Sequence, residues 1–444
     1  MLPPSPFSQG IFGSAVAMTA DGSRVIVGAP QDDTRGSHAG SAVVFVRAGT
    51  VWSLEAALFA SDAAADDELG RAVSIDAGGT RAIVGVPKDD PSALGAGSAR
   101  VFARSGTTWT EEAALVAPSP TSGDALGGAV AISADGARAV VGAETYDDPV
   151  GADTGSAYVF VRSGATWSLE ATLLASDRAA TDRLGCAVSL DSTGTRALIG
   201  AWGRDIAGVF NVGSARVYVR SGSSWTEEAT LLATDRVEGD RFGTSVALSG
   251  DGLRALVGAP FVATGRGRAY VFDLVSATWT EAAQVDASVG VVGDHFGTAV
   301  SLTSDGSRAL VGADGANLGA LGDVGEARVF SIEAASSDGE PCTSAGECVS
   351  GFCSDGLCCA TDCGDDAGDC RACSVAAGGA ADGSCTPLTA AIAPTVECRA
   401  AAGECDLAEL CDPASTECRP TPARPRTSCA ARRPPASARR RATA

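Results

Sequence analysis

A unit of about 57 residues returns six times along most of this chain, and it constrains the fold more than any other feature. Phe12-Gly13, Leu69-Gly70, Leu126-Gly127, Leu184-Gly185, Phe242-Gly243 and Phe296-Gly297 open the copies. At one fixed offset from each opening stands an arginine: Arg24, Arg81, Arg138, Arg196, Arg254 and Arg308. At another stands a glycine: Gly28, Gly85, Gly142, Gly200, Gly258 and Gly312. A unit this short buries its apolar faces only against its neighbours, so the chain is expected to form a stack or ring of like units.

The third copy shows what one unit is. Residues 129–133 form a short apolar run, Asp135-Gly136 supplies a turn, and 138–142 form a second run. Asp-Gly between two β-prone runs is a hairpin signal, because glycine accepts the positive φ of a tight turn. A longer loop leads to 156–161, a turn at Ser163-Gly164-Ala165, and a fourth run beginning at Trp167. No segment holds a helical period. Four short strands per unit predict an all-β fold, a β-propeller of six four-stranded blades over 1–332 with the first or last blade incomplete. Trp52, Trp109, Trp167, Trp225 and Trp279 stand at the same register, and the matching tryptophan before Phe12 would precede Met1. The expectation is a start inside a repeat, with a signal peptide lying upstream and both six and seven blades open for the intact gene.

Length varies in one place only. The loop between the second and third runs changes from copy to copy, while the rest of the unit keeps a constant count. Equivalent loops of a propeller emerge on one face, where binding surfaces are elaborated.

The chain has a formal charge of −21, which disfavours nucleic acid and anionic lipid as partners, since both need basic surface. No apolar run is long enough to span a membrane. All but one of the fifteen cysteines fall in a second region, 342–429, after a linker at 333–341. They are Cys342, Cys348, Cys353, Cys358, Cys359, Cys363, Cys370, Cys373, Cys385, Cys398, Cys405, Cys411, Cys418 and Cys429. An even, dense set without neighbouring histidines is expected to form disulfides in an oxidising compartment. Cys370 and Cys373 form a lone CxxC, whereas structural zinc needs four ligands. The remaining cysteine, Cys186, occupies a position that elsewhere holds Ser14, Arg71, Gly128, Thr244 or Thr298, so it reads as an unpaired thiol without a role. Residues 430–444 form an arginine-rich tail.

Phe-Gly, then Val-Gly-Ala-Pro at 27–30 and 257–260, then Gly-Ser-Ala-x-Val-Phe at 97–102 together resemble the FG-GAP repeat of integrin α-subunits and its bacterial relatives. That resemblance implies a bladed fold and an extracellular binding role. Integrin repeats often carry a calcium loop. The corresponding loops here offer Asp32 and Asp33, Asp89 and Asp90, Asp147, Asp148 and Asp153, which is few carboxylates for a cation that takes six to eight oxygens. Calcium is the one cofactor these loops could hold, with solvated loop acids as the alternative. In the second region, Cys398-Arg399, Glu404-Cys405-Asp406, Glu409, Cys411 and Cys418 resemble the last third of a disintegrin-like domain. That likeness implies an adhesive loop with Glu404 and Asp406 at its tip. A generic disulfide-stapled stalk is the alternative.

Other motifs read as architecture. The recurrent arginines are expected to meet Glu55, Glu112, Glu170 and Glu228 rather than an anion. His38 lies in a variable loop, and His295 stands where other copies have Glu68, Ala125, Arg183 or Arg241. No G-x-S-x-G occurs, and no catalytic cluster is expected. The fourth variable loop is set apart by Trp202 and Phe210, which either anchor a partner or plug the central opening; Tyr146 and Phe261 on neighbouring loops are further candidates for the same surface. The expected function is non-catalytic binding or adhesion outside the cell or at its surface, to a protein or glycan. A secreted hydrolase is the second class, because FG-GAP repeats accompany a phospholipase, and a spacer without a ligand is the third.

Overall fold

The computed structural model describes residues 11–332, apart from 288–289, 318–321 and 323, together with the backbone of seven short strand segments between Cys353 and Arg419. Contacts divide the chain into two units, Met1–Glu333 and Ala334–Ala444. In the second, Cys353–Ser354 pairs with Leu357–Cys358 and Arg371–Ala372 with Thr386–Pro387, while Glu397–Arg399, Glu409–Cys411 and Cys418–Arg419 form a three-stranded group. Glu404, Asp406, the cysteines outside those strands, any disulfide pairing, the linker and the basic tail lie outside the described residues.

The first unit is an all-β propeller of six antiparallel sheets, spanning 16–58, 73–115, 129–173, 184–231, 245–285 and 296–331. Blades 1 to 5 have four strands in sequence order, and blade 6 has three among the described residues. In blade 3 the strands are Ala129–Ile132, Arg138–Ala143, Ser156–Ser163 and Thr166–Leu173. The first hairpin turns as expected: Gly136 sits at φ 67°, and Asp135 accepts the Ala137 N–H at 2.9 Å. The one helical stretch among the described residues, Val262–Gly265, is a single turn with Ala263 and Thr264 at positive φ.

The faces of blades 2 to 5 are apolar on both sides because each of these blades is covered twice. Along the second strand of blade 3, Ala139, Val141 and Ala143 pack towards blade 2, while Val140 packs towards blade 4. Alternation therefore assigns neighbours rather than inside and outside. The recurrent glycines set how closely blades approach. A Cβ on Gly142 would lie 2.0 Å from the Gly185 carbonyl oxygen, and the same clash recurs between Gly28 and Gly70, Gly85 and Gly127, Gly200 and Gly243, and Gly258 and Gly297. The opening glycine of one blade thus rests on the second-strand glycine of the blade before it.

A polar staple joins successive blades at the outer strands. Opposite each third strand the register skips one residue of the fourth, and the skipped residues are Glu55, Glu112, Glu170, Glu228 and Ala282. Such a bulge re-aims its side chain. Each glutamate accepts from the arginine of its own blade: Arg24 at 2.9 Å, Arg81 at 3.1 Å, Arg138 at 3.1 Å and Arg196 at 2.9 Å. Each also accepts the indole N–H of the next blade: Trp109 to Glu55, Trp167 to Glu112, Trp225 to Glu170 and Trp279 to Glu228, at 3.0 to 3.2 Å. Burial alone would raise the Glu112 carboxyl, yet hydrogen bonds from Arg162, Trp167 and Arg81 hold it down to about 2. Blade 5 faces no following tryptophan strand among the described residues; it has Ala282 at the bulge, and Arg254 pairs with Asp273 at 2.6 Å instead.

The two terminal blades differ from the rest on their outward faces. Ile26, Ile83, Val140, Leu198 and Leu256 are 0% exposed beneath the following blade, whereas Leu310 at that position is 45% exposed. Val44, Val101, Val159, Val217 and Val271 are likewise 0% exposed, and Val329 is 66% exposed. On blade 1, Val16 and Met18 are exposed where Val73, Ile75, Val130 and Ile132 are buried by a preceding blade.

Candidate functional site

In a four-stranded meander the first and third turns share one face of the propeller, and the loops between strands 2 and 3 share the other with the connectors to the next blade. Backbone hydrogen bonds zip each loop to its connector. Glu68 donates to His38, Ala125 to Gly95, Arg183 to Asp153, Arg241 to Asn211 and His295 to Gly265, all between 2.8 and 3.1 Å. Both members of each pair adopt positive φ: 59° at Glu68, 54° at Ala125, 59° at Arg183, 55° at Arg241 and 55° at His295. A left-handed conformation at non-glycine residues costs on the order of 1 kcal/mol each, and the zip holds it in place. Because the first strands of successive blades lie side by side around the centre, these residues stand on the inner rim of the loop face.

The variable side chains of that rim form a ladder across blades 4 to 6. Arg183 and Arg241 stand over the Trp202 ring, at 5.2 and 4.7 Å from its centroid. Arg241 also stands over the Phe261 ring, at 4.4 Å. Phe261 in turn packs on His295, with centroids 5.0 Å apart. Carboxylates flank the ladder: Arg183 pairs with Asp153 at 2.9 Å, and His295 lies 3.3 Å from Asp314. Arg241 makes neither an ion pair nor a side-chain hydrogen bond among the described residues. On blade 2 the rim carries Lys88 bonded to Glu68 at 2.6 Å.

The structure places the sequence candidates as follows. Trp202 is half-buried between the two arginines, and Phe210 is 58% exposed at the tip of the same loop. Tyr146 is half-buried and edge-on to Tyr158 at 6.5 Å. The loop acids are internal acceptors. Asp32 takes the Thr34 amide at 2.8 Å and the Ser41 hydroxyl at 2.5 Å, and Asp33 takes the His38 amide at 2.8 Å. Asp89 takes Arg100 at 2.6 Å, and Asp90 takes the Gly95 amide at 2.5 Å. Asp147 takes the Asp153 amide at 2.7 Å, while Asp148 pairs with Arg178. Burial would raise the Asp148 carboxyl, but Arg178 and the Val150 amide bring it below the ordinary range. Among the described residues no three His, Cys, Asp or Glu side chains gather as a metal site. Cys186 is a free thiol that donates to the Gly243 carbonyl at 3.4 Å, and burial pushes its pKa up to about 12.

Sequence reasoning missed Arg241, which contacts both the Trp202 and the Phe261 rings. The signal available was the position before each opening residue, which carries Arg183, Arg241 and His295 in three consecutive copies.

The sequence profile described as the FG-GAP repeat matches residues 9–45, 52–102, 109–160, 167–218 and 225–272, together more than half of the chain. Each full match runs from one tryptophan strand to the third strand of the next blade, so it crosses the junction between two blades. No curated protein sequence matches the chain. Among solved structures, Kuenenia stuttgartiensis hydrazine synthase is 13% identical with a TM-score of 0.46, over 71% of this chain and 78% of that one. A candidate 6-phosphogluconolactonase from Bacteroides uniformis is 12% identical with a TM-score of 0.47, over 72% of this chain and 85% of that one. At these values neither protein's chemistry bears on this one. Six blades built on recurring FG and GAP glycines, and a profile matched five times over, place the chain in the FG-GAP repeat family.

Proposed function

We propose that this propeller is a non-catalytic binding protein that works outside the cell or at its surface and engages a protein ligand with its loop face. FG-GAP propellers commonly bind proteins and are typically extracellular, and no helix among the described residues is long and apolar enough to cross a membrane. The observation that carries the reading is the division of labour between faces. Glycine contacts and glutamate staples hold the blades to a constant pattern, while changes in length and side-chain chemistry gather where loops and connectors meet. Trp202, Phe210 and Tyr146 belong to that face, and aromatic side chains dominate interface hot spots.

The test is binding of the full chain to an array of extracellular proteins and glycans, repeated with two variants. In one, 202–212 is replaced by the shorter 260–266 loop of blade 5. In the other, Leu253, exposed on the opposite face, becomes Asp. The reading expects the loop exchange to abolish capture and Leu253→Asp to leave it intact. Equal effects of both variants, or an array without a single bound ligand, would sink it.

A further inference from the structure

The rim ladder holds one cation too many. Three positively chargeable side chains stand in a row in blades 4 to 6, and two of them have acid partners: Arg183 has Asp153 and His295 has Asp314. Arg241, between them, has only ring faces, Trp202 on one contact and Phe261 on the other. Its sequence neighbour Asp240 does not serve it, being buried and bonded to the Val237 amide at 2.7 Å. Ring contact holds the guanidinium in place but gives its N–H donors no hydrogen-bond acceptor among the described residues. In a chain of formal charge −21, which repels anions generally, this is a local exception.

We propose that Arg241 is a receptor for a single carboxylate of an acidic protein ligand, an inference that rests on the loop-face reading above. One uncompensated guanidinium matches one monoanionic, planar group, which it grips with two parallel hydrogen bonds. A sulfate or phosphate cluster would call for several free cations, and the other two members of the ladder each already have an acid partner. A sugar stacked on the indole is disfavoured as well, because arginines stand over Trp202. The loop paired with Arg241 also carries an exposed apolar side chain. Arg241 donates its amide to Asn211, and Phe210, the residue before Asn211, accepts the Gly239 amide, so the exposed Phe210 ring belongs to the loop zipped against Arg241. Carboxylate and apolar side chain together define the ligand as an acidic segment with interspersed hydrophobic residues.

The test is fluorescence anisotropy of the full chain with a labelled Glu-Leu-Glu-Leu-Glu peptide and its Gln-Leu-Gln-Leu-Gln counterpart. The expected result is at least about tenfold preference for the glutamate peptide. That preference is lost in Arg241→Gln and weakened in Arg241→Lys, which keeps the charge but not the fork. It survives in Arg35→Gln, an exposed arginine over the Phe59 ring on blade 1. Thermal melts of each variant establish that the fold is retained. Equal binding of the two peptides, no binding of either, or an unchanged preference in Arg241→Gln overturns the proposal. So does stronger binding of an oligoglucuronate, which would assign the site to acidic glycans. If Arg241→Gln leaves array binding intact while the loop exchange abolishes it, the carboxylate receptor fails and the loop-face reading stands; if neither variant affects binding, the reading itself fails.

Discussion

Removing one staple glutamate should weaken the propeller in a way that depends on pH. Glu112 takes Arg81 at 3.1 Å from its own blade, and Arg162 at 2.7 Å and Trp167 at 3.0 Å from the next. Its side chain is only 10% exposed. Its carboxyl is held at about 2 in the folded protein against an ordinary 4.5. That gap corresponds to about 3 kcal/mol, at about 1.36 kcal/mol per tenfold change in proton affinity. Both arginines reach solvent, and screening reduces the figure to about 2 kcal/mol. The folded pKa lies below the unfolded one. The stabilisation is therefore complete above about pH 4.5 and is lost as pH falls towards 2. Glu112→Gln keeps the shape and removes the charge, leaving two guanidinium groups facing a neutral amide. Urea unfolding of the full chain, followed by tryptophan fluorescence, should show the variant about 2 kcal/mol less stable at pH 7, with at least half of that difference gone at pH 2. A difference that is the same at both pH values, or absent at pH 7, would refute the staple as an electrostatic device.

Three further outcomes follow from the blade contacts. Gly142→Ala places a Cβ 2.0 Å from the Gly185 carbonyl and should cost at least about 3 kcal/mol, while Gly312→Ala, whose nearest neighbour is 3.6 Å away, should stay within about 1 kcal/mol; paired thermal melts decide. Leu256→Ala should cost about 2–5 kcal/mol by opening a cavity between blades 5 and 6, and Leu310→Ala, at the equivalent but exposed position, less than about 1 kcal/mol in the same assay. Ala125→Gly relieves a left-handed φ of 54° and should raise stability by about 0.5–1 kcal/mol; a loss instead would mean that the zip does not strain the connector.

How much of this could be read from sequence depends on how far apart the interacting groups stand. The hairpins were legible because Asp135-Gly136 and its equivalents specify a turn locally. The pairing of Arg24, Arg81, Arg138 and Arg196 with the four glutamates was legible because both recur at constant offsets. The second partner of each glutamate was not, since the tryptophan that donates to it lies in the next blade and the bulge that aims it leaves no local signature. Recurrence marks what blades share, so the rim was hidden: Arg183, Arg241 and His295 look like noise at a variable position. Only the fold shows that this position meets the loop before it and the aromatic side chains Trp202 and Phe261. Trp202 stood out by composition, but its half-buried setting between arginines belongs to three-dimensional packing.

The division between a constant scaffold and a variable binding face is tested most directly by hydrogen–deuterium exchange on the full chain, with and without a ligand identified on the array. The account predicts new protection in the loops 202–213 and 260–267 and in the connector around Arg241, with the hairpins of the opposite face unchanged. Protection confined to those hairpins, or spread evenly over all six blades, would contradict it.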